Sequence, residues 1–178
     1  MEKFINSKIL TLAAVFVFIF CISADAQKRR TTGSKTSTAK TSTTISNATA
    51  VKNGAQIISN QIKNLGQFIF VYGGSLSRIE TIDKEIEQGK LSEDARKQSE
   101  IGKQGLVLTI RTFKNALLKL EDDFRAKPAL RPYLLKLTGV GETAATAEEQ
   151  ATDGQFEPAG RTLLEVLNQL TDTLQAMP

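Results

Sequence analysis

A seven-residue apolar repeat governs what this chain can fold into. From Asn47 onward, Val51, Ala55, Ile58, Ile62, Leu65, Ile69, Tyr72, Leu76 and Ile79 follow one another in steps of four and three without exception. At that spacing side chains line one stripe of an α-helix, whereas a strand, with its faces alternating every second residue, would scatter them. A heptad stripe needs a partner surface, and the surface it fits is another helix crossing at about 20°. Asp83 occupies the next seam position, flanked by Ile82 and Ile86, and Gln88-Gly89 punctuates the end. The expectation is a helix of about 40 residues, about 60 Å long.

Three more segments carry related stripes. Ser92 is a good N-cap, with Glu93 and Asp94 in the first turn where the helix dipole favours acids. The seam that follows is Leu106, Ile110, Phe113, Leu117, Leu120 and Phe124, again in steps of four and three. Its first turns are more polar, so that end is expected to fray or project. Pro128 then marks the start of a third, alanine-rich helix carrying Leu130, Leu134, Leu137, Ala144 and Ala151. Asp153-Gly154 is a turn signal, and Phe156, Leu163, Leu167, Leu170, Leu174 and Met177 form one face of a last helix. Short connectors between such segments make neighbours run in opposite directions. The expected fold class is all-α: an antiparallel up-down four-helix bundle with coiled-coil-like seams, a long first hairpin and a shorter second one. The alternative is a long first hairpin with the shorter pair packed on one half of it.

The first helix has two irregular features. Gly54 and Gly66 each cost about 1 kcal/mol relative to alanine, and Gly73-Gly74 is a candidate kink. The run Phe68-Ile69-Phe70-Val71-Tyr72 is apolar on every side. Such a run is either the widest core layer, buried by more than one neighbour, or a hydrophobic interface. Phe68, Phe70, Val71 and Tyr72 are therefore the candidate apolar contact residues.

The first 26 residues read as a targeting segment, outside the fold. Lys3 and Lys8 precede an apolar run from Ile9 to Ile22 that only Thr11 and Cys21 interrupt. A membrane span needs about 20 residues, whereas a signal-peptide core needs roughly 7–15. Ala24-Asp25-Ala26 places small residues where a signal peptidase inspects them, so cleavage is expected after Ala26, with Ala24 and Ala26 as its recognition residues. The alternative is an uncleaved N-terminal membrane anchor. The expected location is export, either periplasmic or secreted.

Residues 27–46 form an expected disordered basic tail before the bundle domain at 47–178. Lys28, Arg29, Arg30, Lys35 and Lys40 stand there among serines and threonines with no acid. The tail has too little apolar content to repay the entropy of ordering. These five cations exceed the whole-chain net charge of +4, so the body is slightly acidic. The tail reads as a solvated spacer, or as a contact for anionic lipid or cell-wall polymer. Nucleic acid is not an expected partner, because no aromatic side chain interleaves with the cations to stack on bases.

Composition removes several chemistries. The single cysteine, Cys21, lies in the segment to be cleaved, and the chain has no histidine and no tryptophan. Thiol chemistry, covalent haem, and zinc or copper sites therefore lack ligands. Gly139-Val140-Gly141-Glu142-Thr143-Ala144 matches the spacing of a dinucleotide-binding turn, but that turn must follow a strand, and Tyr133-Leu134-Leu135-Lys136-Leu137 reads as helix. It is expected to be a loosened helical turn. Glu121-Asp122-Asp123, Glu85 with Glu87, and Glu148-Glu149 are expected to be solvated faces, since adjacent helix positions diverge. No catalytic, cofactor or metal residue is expected. The chain reads as a non-enzymatic, envelope-associated interaction or structural module whose partner is a protein, a second copy of itself or an envelope polymer. The alternative is a ligand-binding or chaperone-like bundle with an exposed apolar groove.

Overall fold

The computed structural model describes residues 39–90 and 92–178, with side chains from residue 46 onward. Ala24, Ala26, Lys28, Arg29, Arg30 and Lys35 lie outside the described residues, as does the whole expected signal peptide. Lys40 lies in the first helix. The described chain is helical throughout: α1 (Ala39–Glu87), α2 (Glu93–Ala126), α3 (Arg131–Leu137), α4 (Val140–Thr152) and α5 (Phe156–Gln175), with no strand among the described residues. Helix α1 thus begins inside the segment 27–46 that composition assigns to the tail.

The four longer helices close a ring. Helix α2 packs on α4, α4 on α5, α5 on α1 and α1 on α2, while short α3 touches α2 and α5. This is the neighbour order of a four-helix bundle. The heptad seams supply its interior. Ile58, Leu65, Phe68 and Tyr72 of α1, Leu106, Ile110, Leu117, Leu120 and Phe124 of α2, and Leu163 and Leu170 of α5 are buried. Val51, Ala55, Ile62, Ile69, Leu76 and Ile79 pack partly buried against them. Each large side chain taken fully out of water contributes about 1.5–3 kcal/mol, so the seams are the principal source of stability. Small residues fill the rest. Ala144, Ala147 and Ala151 of α4 and Ala159 of α5 are inaccessible or nearly so, and let these two helices approach closely.

Ser92 caps α2 as its sequence implies, its side chain accepting a hydrogen bond from Ala95 N at 3.4 Å. Helix α1 runs unbroken through Gly54, Gly66 and Gly73-Gly74. Gly54 is buried against the residue that precedes α3 and the C-terminus: a Cβ there would stand 2.8 Å from Leu130 Cδ2 and 3.3 Å from Met177 Cε. Any larger residue would displace those side chains.

The expected third helix is two. Helix α3 stops at Leu137 and α4 restarts at Val140, because Gly139 takes the left-handed conformation at φ 91°. Leu134 O accepts both the Thr138 backbone N–H and the Thr138 hydroxyl, each at 2.8 Å, which closes the end of α3. Pro128 is not at a helix start either. It lies in the turn before α3, and Pro132 occupies the first-turn position where a missing N–H is harmless. The bend still keeps Leu137, Val140 and Ala144 inside the core.

Helix lengths differ sharply. At 1.5 Å per residue, the 49 residues of α1 span about 73 Å and the 34 of α2 about 51 Å, against about 20 Å for the 13 of α4. The end of α1 and the start of α2 therefore project as a two-helix tip. Between Asp83 and Lys103, Ser99 alone is buried among the described residues.

Candidate functional site

The run Phe68 to Tyr72 is divided by the helix rather than buried whole. Phe68 and Tyr72 face inward one turn apart, with ring centroids 5.5 Å apart, and Phe68 also meets Phe113 of α2 at 5.4 Å. The Tyr72 hydroxyl donates to Phe156 O at 2.7 Å, which satisfies the hydroxyl away from water. Burial pushes the phenol well above the ordinary tyrosine range. Phe70 and Val71 point the other way, 85% and 52% exposed. The expectation that several neighbours cover this stretch holds for Phe68 and Tyr72 and fails for Phe70 and Val71, because no second layer of helices packs outside α1 among the described residues. Open space also surrounds Gly66, Gly73 and Gly74, where an added Cβ would meet nothing within 4 Å. An exposed phenylalanine thus stands on a stretch of α1 where the backbone itself is reachable.

Two surface clefts accompany it. One, about 290 Å³, has Leu76, Ile79, Phe156 and Pro158 as its apolar lining and Glu80, Asp83 and Glu157 as its acids. The other, about 300 Å³, lies at the two-helix tip and is lined by Ile86, Arg96, Lys97, Ser99, Glu100 and Lys103.

The carboxylates need correction. Glu121 is not a solvated face: it is 8% exposed, and its Oε1 accepts a hydrogen bond from Gly141 N at 2.7 Å. Gly139 provides no capping side chain for α4, so a carboxylate from α2 takes that place at the positive end of the helix dipole. Glu148 is not solvated either. It receives Arg111 Nε at 2.6 Å and Lys114 Nζ at 2.5 Å, and the Lys114 and Arg111 hydrogen bonds hold its carboxyl below the usual range. Asp122 is exposed and pairs with Arg125 at 2.7 Å. Glu121 and Glu148 share no site: each joins α2 to α4 with its own partners. The sequence does not reveal either role, because Gly141 stands 20 positions from Glu121, and Arg111 stands 37 positions from Glu148, with Lys114 nearly as far.

Other motifs resolve into structure. Gly139 to Ala144 is the bend and first turn of α4, preceded by helix α3 and not by a strand. Among the described residues no group of three or more His, Cys, Asp or Glu side chains is placed to hold a metal ion. No helix among them is long and apolar enough to cross a membrane. Neither a protein-family model, nor a curated protein, nor a solved structure matches the chain.

Proposed function

We propose that this chain is an exported, non-enzymatic helical-bundle module that acts at the cell envelope by protein contact through the Phe70–Val71 face of α1. The exposure of Phe70 carries the reading. An aromatic ring left in water forgoes about 1.5–3 kcal/mol of burial, and a partner surface recovers it. The adjoining glycines let a second helix come near the α1 backbone, a geometry suited to helix-on-helix contact with a helical envelope protein or a second copy. The basic segment at 28–40 and the preceding apolar run are consistent with export and with attraction to an anionic surface.

The bundle behind this face is read as antiparallel and up-down. Asp83 pairs with Lys103, and Phe68 meets Phe113, a pattern that supports positions rising on one helix as they fall on the other. Arg111 with Glu148 and Glu121 with Gly141 favour the same order for α2 and α4. Tyr72 with Phe156, and Gly54 near Met177, favour it for α1 and α5.

The test uses protein recovered from the exported fraction of cells carrying the full-length gene. Native mass spectrometry and sedimentation with envelope material are compared for wild type and the double variant F70S/V71S. The expected result is a chain starting at Gln27 that assembles or sediments, and a variant that does neither while keeping its thermal midpoint. A wild-type monomer that stays out of the envelope fraction would overturn the proposal. A second reading, a ligand-binding or chaperone-like bundle, is favoured by the apolar lining of the cleft at Leu76, Ile79, Phe156 and Pro158. Suppression of client aggregation by stoichiometric amounts of the monomer would select it.

A further inference from the structure

The seam of α2 does not stop at Leu106. Continued toward the N-terminus in the same steps of three and four, it runs through Lys103, Ser99 and Arg96. At the tip, then, positions that hold Leu, Ile and Phe further along hold a lysine, a serine and an arginine. The α1 seam changes in the same place, where Asp83 interrupts it before Ile86. Lys103 Nζ answers Asp83 at 2.8 and 3.1 Å, and Arg96 Nη2 reaches Ile86 O at 3.4 Å. Ser99, between them, is 8% exposed and its Oγ has no protein hydrogen-bond partner.

A buried hydroxyl without a partner is unfavourable, and an apolar residue at position 99 would extend the seam. The serine instead lines a cleft of about 300 Å³ shared with three cations and one acid, Glu100. A hydroxyl with an unused donor between an arginine and two lysines matches an oxyanion: the hydroxyl donates to one oxygen, and the cations supply charge-assisted hydrogen bonds to the others. Asp83 occupies part of Lys103, which leaves Arg96 and Lys97 as the principal charge donors.

We propose that the cleft between the end of α1 and the first turns of α2 binds a phosphate-class oxyanion, with Ser99 Oγ as the buried donor and Arg96 and Lys97 as the cationic rim. This proposal stands independently of the Phe70–Val71 face, which lies elsewhere on α1.

The probe is inorganic phosphate, titrated into the 27–178 chain at low ionic strength and followed by amide chemical shifts. Saturable shifts centred on residues 96–103 are expected. S99A is expected to weaken phosphate about 5-fold, the size of one ordinary hydrogen bond, with thermal stability unchanged or raised. S99T, which keeps the hydroxyl, restores most of the affinity, and R96Q weakens it while leaving the fold intact. A parallel arm uses phosphatidylglycerol vesicles with phosphatidylcholine vesicles as control. Vesicle binding that falls in S99A, without a response to free phosphate, assigns the oxyanion to a lipid headgroup. A response to free phosphate alone assigns it to a soluble ligand. Absence of saturation in both arms, or equal affinity in wild type and S99A, overturns the site.

Discussion

Glu121 on α2 accepts the backbone N–H of Gly141 on α4, 20 residues further along the chain, at 2.7 Å, and so caps that helix. The N-terminus of α4 has no capping side chain of its own, because the bend at Gly139 demands a residue without a Cβ. A tertiary contact therefore replaces a local one. Removing the carboxylate leaves a buried N–H unpaired at a positive helix end. E121A is expected to lower unfolding free energy by about 2 kcal/mol and E121Q by about 1 kcal/mol, read from urea midpoints at neutral pH. If E121A unfolds within about 0.5 kcal/mol of wild type, the contact has no stabilising role.

Tyr72 is tied at its hydroxyl and closely faced by a glycine. Its hydroxyl donates to Phe156 O, and a Cβ on Gly160 would stand 3.1 Å from its Cε1. Y72F is expected to cost about 1 kcal/mol through the lost hydrogen bond, and Y72A about 3–5 kcal/mol through the cavity. G160A is expected to cost about 1 kcal/mol, because the ring it crowds cannot retreat. The two sites touch, so a double-mutant cycle should show G160A costing less in the Y72F background. Strict additivity would mean that the hydroxyl does not fix the ring.

The same phenol sets an alkaline limit. Its folded-state pKa lies above the ordinary tyrosine value of 10.0. Its neutral form therefore stabilises the fold fully below that value, and the contribution is lost as pH rises above it, when the unfolded chain ionises first. Wild type should lose stability faster than Y72F between pH 10 and 12; parallel midpoint curves for the two proteins would contradict this.

Glu148 works in the opposite direction. Lys114 and Arg111 hold its folded pKa below the ordinary glutamate value of 4.5. The stabilisation is complete above that value and fades as pH falls through the folded-state pKa. E148Q is expected to cost about 1 kcal/mol at pH 7, with the partly exposed Arg111 limiting the effect, and to converge with wild type in acid. Thermal midpoints at pH 7 and pH 3 decide the matter; a gap that persists in acid would point to packing instead of charge.

The glycines separate into opposite classes. At φ 91°, Gly139 holds a conformation that disfavours a Cβ, so G139A should destabilise by about 1–2 kcal/mol. Gly73 and Gly74 are helical, with nothing within 4 Å of an added Cβ, so G73A and G74A should each stabilise by about 0.5–1 kcal/mol. Calorimetric midpoints moving in opposite directions would establish the contrast, and a fall in G74A would show that α1 needs flexibility there.

The heptads made the bundle legible because the period states which side of a helix is apolar. Every seam residue from Val51 to Ile79 and from Leu106 to Phe124 packs in or against the core. The period places Tyr72 on the seam but does not state how many layers surround a helix, and so it left the covering of Phe68, Phe70 and Val71, which lie off the seam, undecided. Nor does it price a single glycine. Gly139 breaks the third helix through one dihedral angle, while Gly73-Gly74 leaves α1 unbroken. The carboxylates were least legible. Glu121, Glu148 and the donors they serve sit on different helices, and only the folded bundle brings them together. The polar tip was visible as a departure from the repeat, yet the isolation of Ser99 required the positions of its neighbours.

Unequal helix lengths have a consequence for how the molecule comes apart. Beyond the level of α4, each turn of α1 and α2 has one neighbour instead of two among the described residues, so the tip can open while the ring stays closed. Amide hydrogens around residues 84–102 should then exchange with solvent well before those facing Tyr72 and Leu117. A protease should make its first cut near Gln88 to Lys90 and leave the remainder folded. An oxyanion held between Arg96 and Ser99 would slow both processes in proportion to its occupancy, coupling the chemistry of the tip to the chain's lifetime.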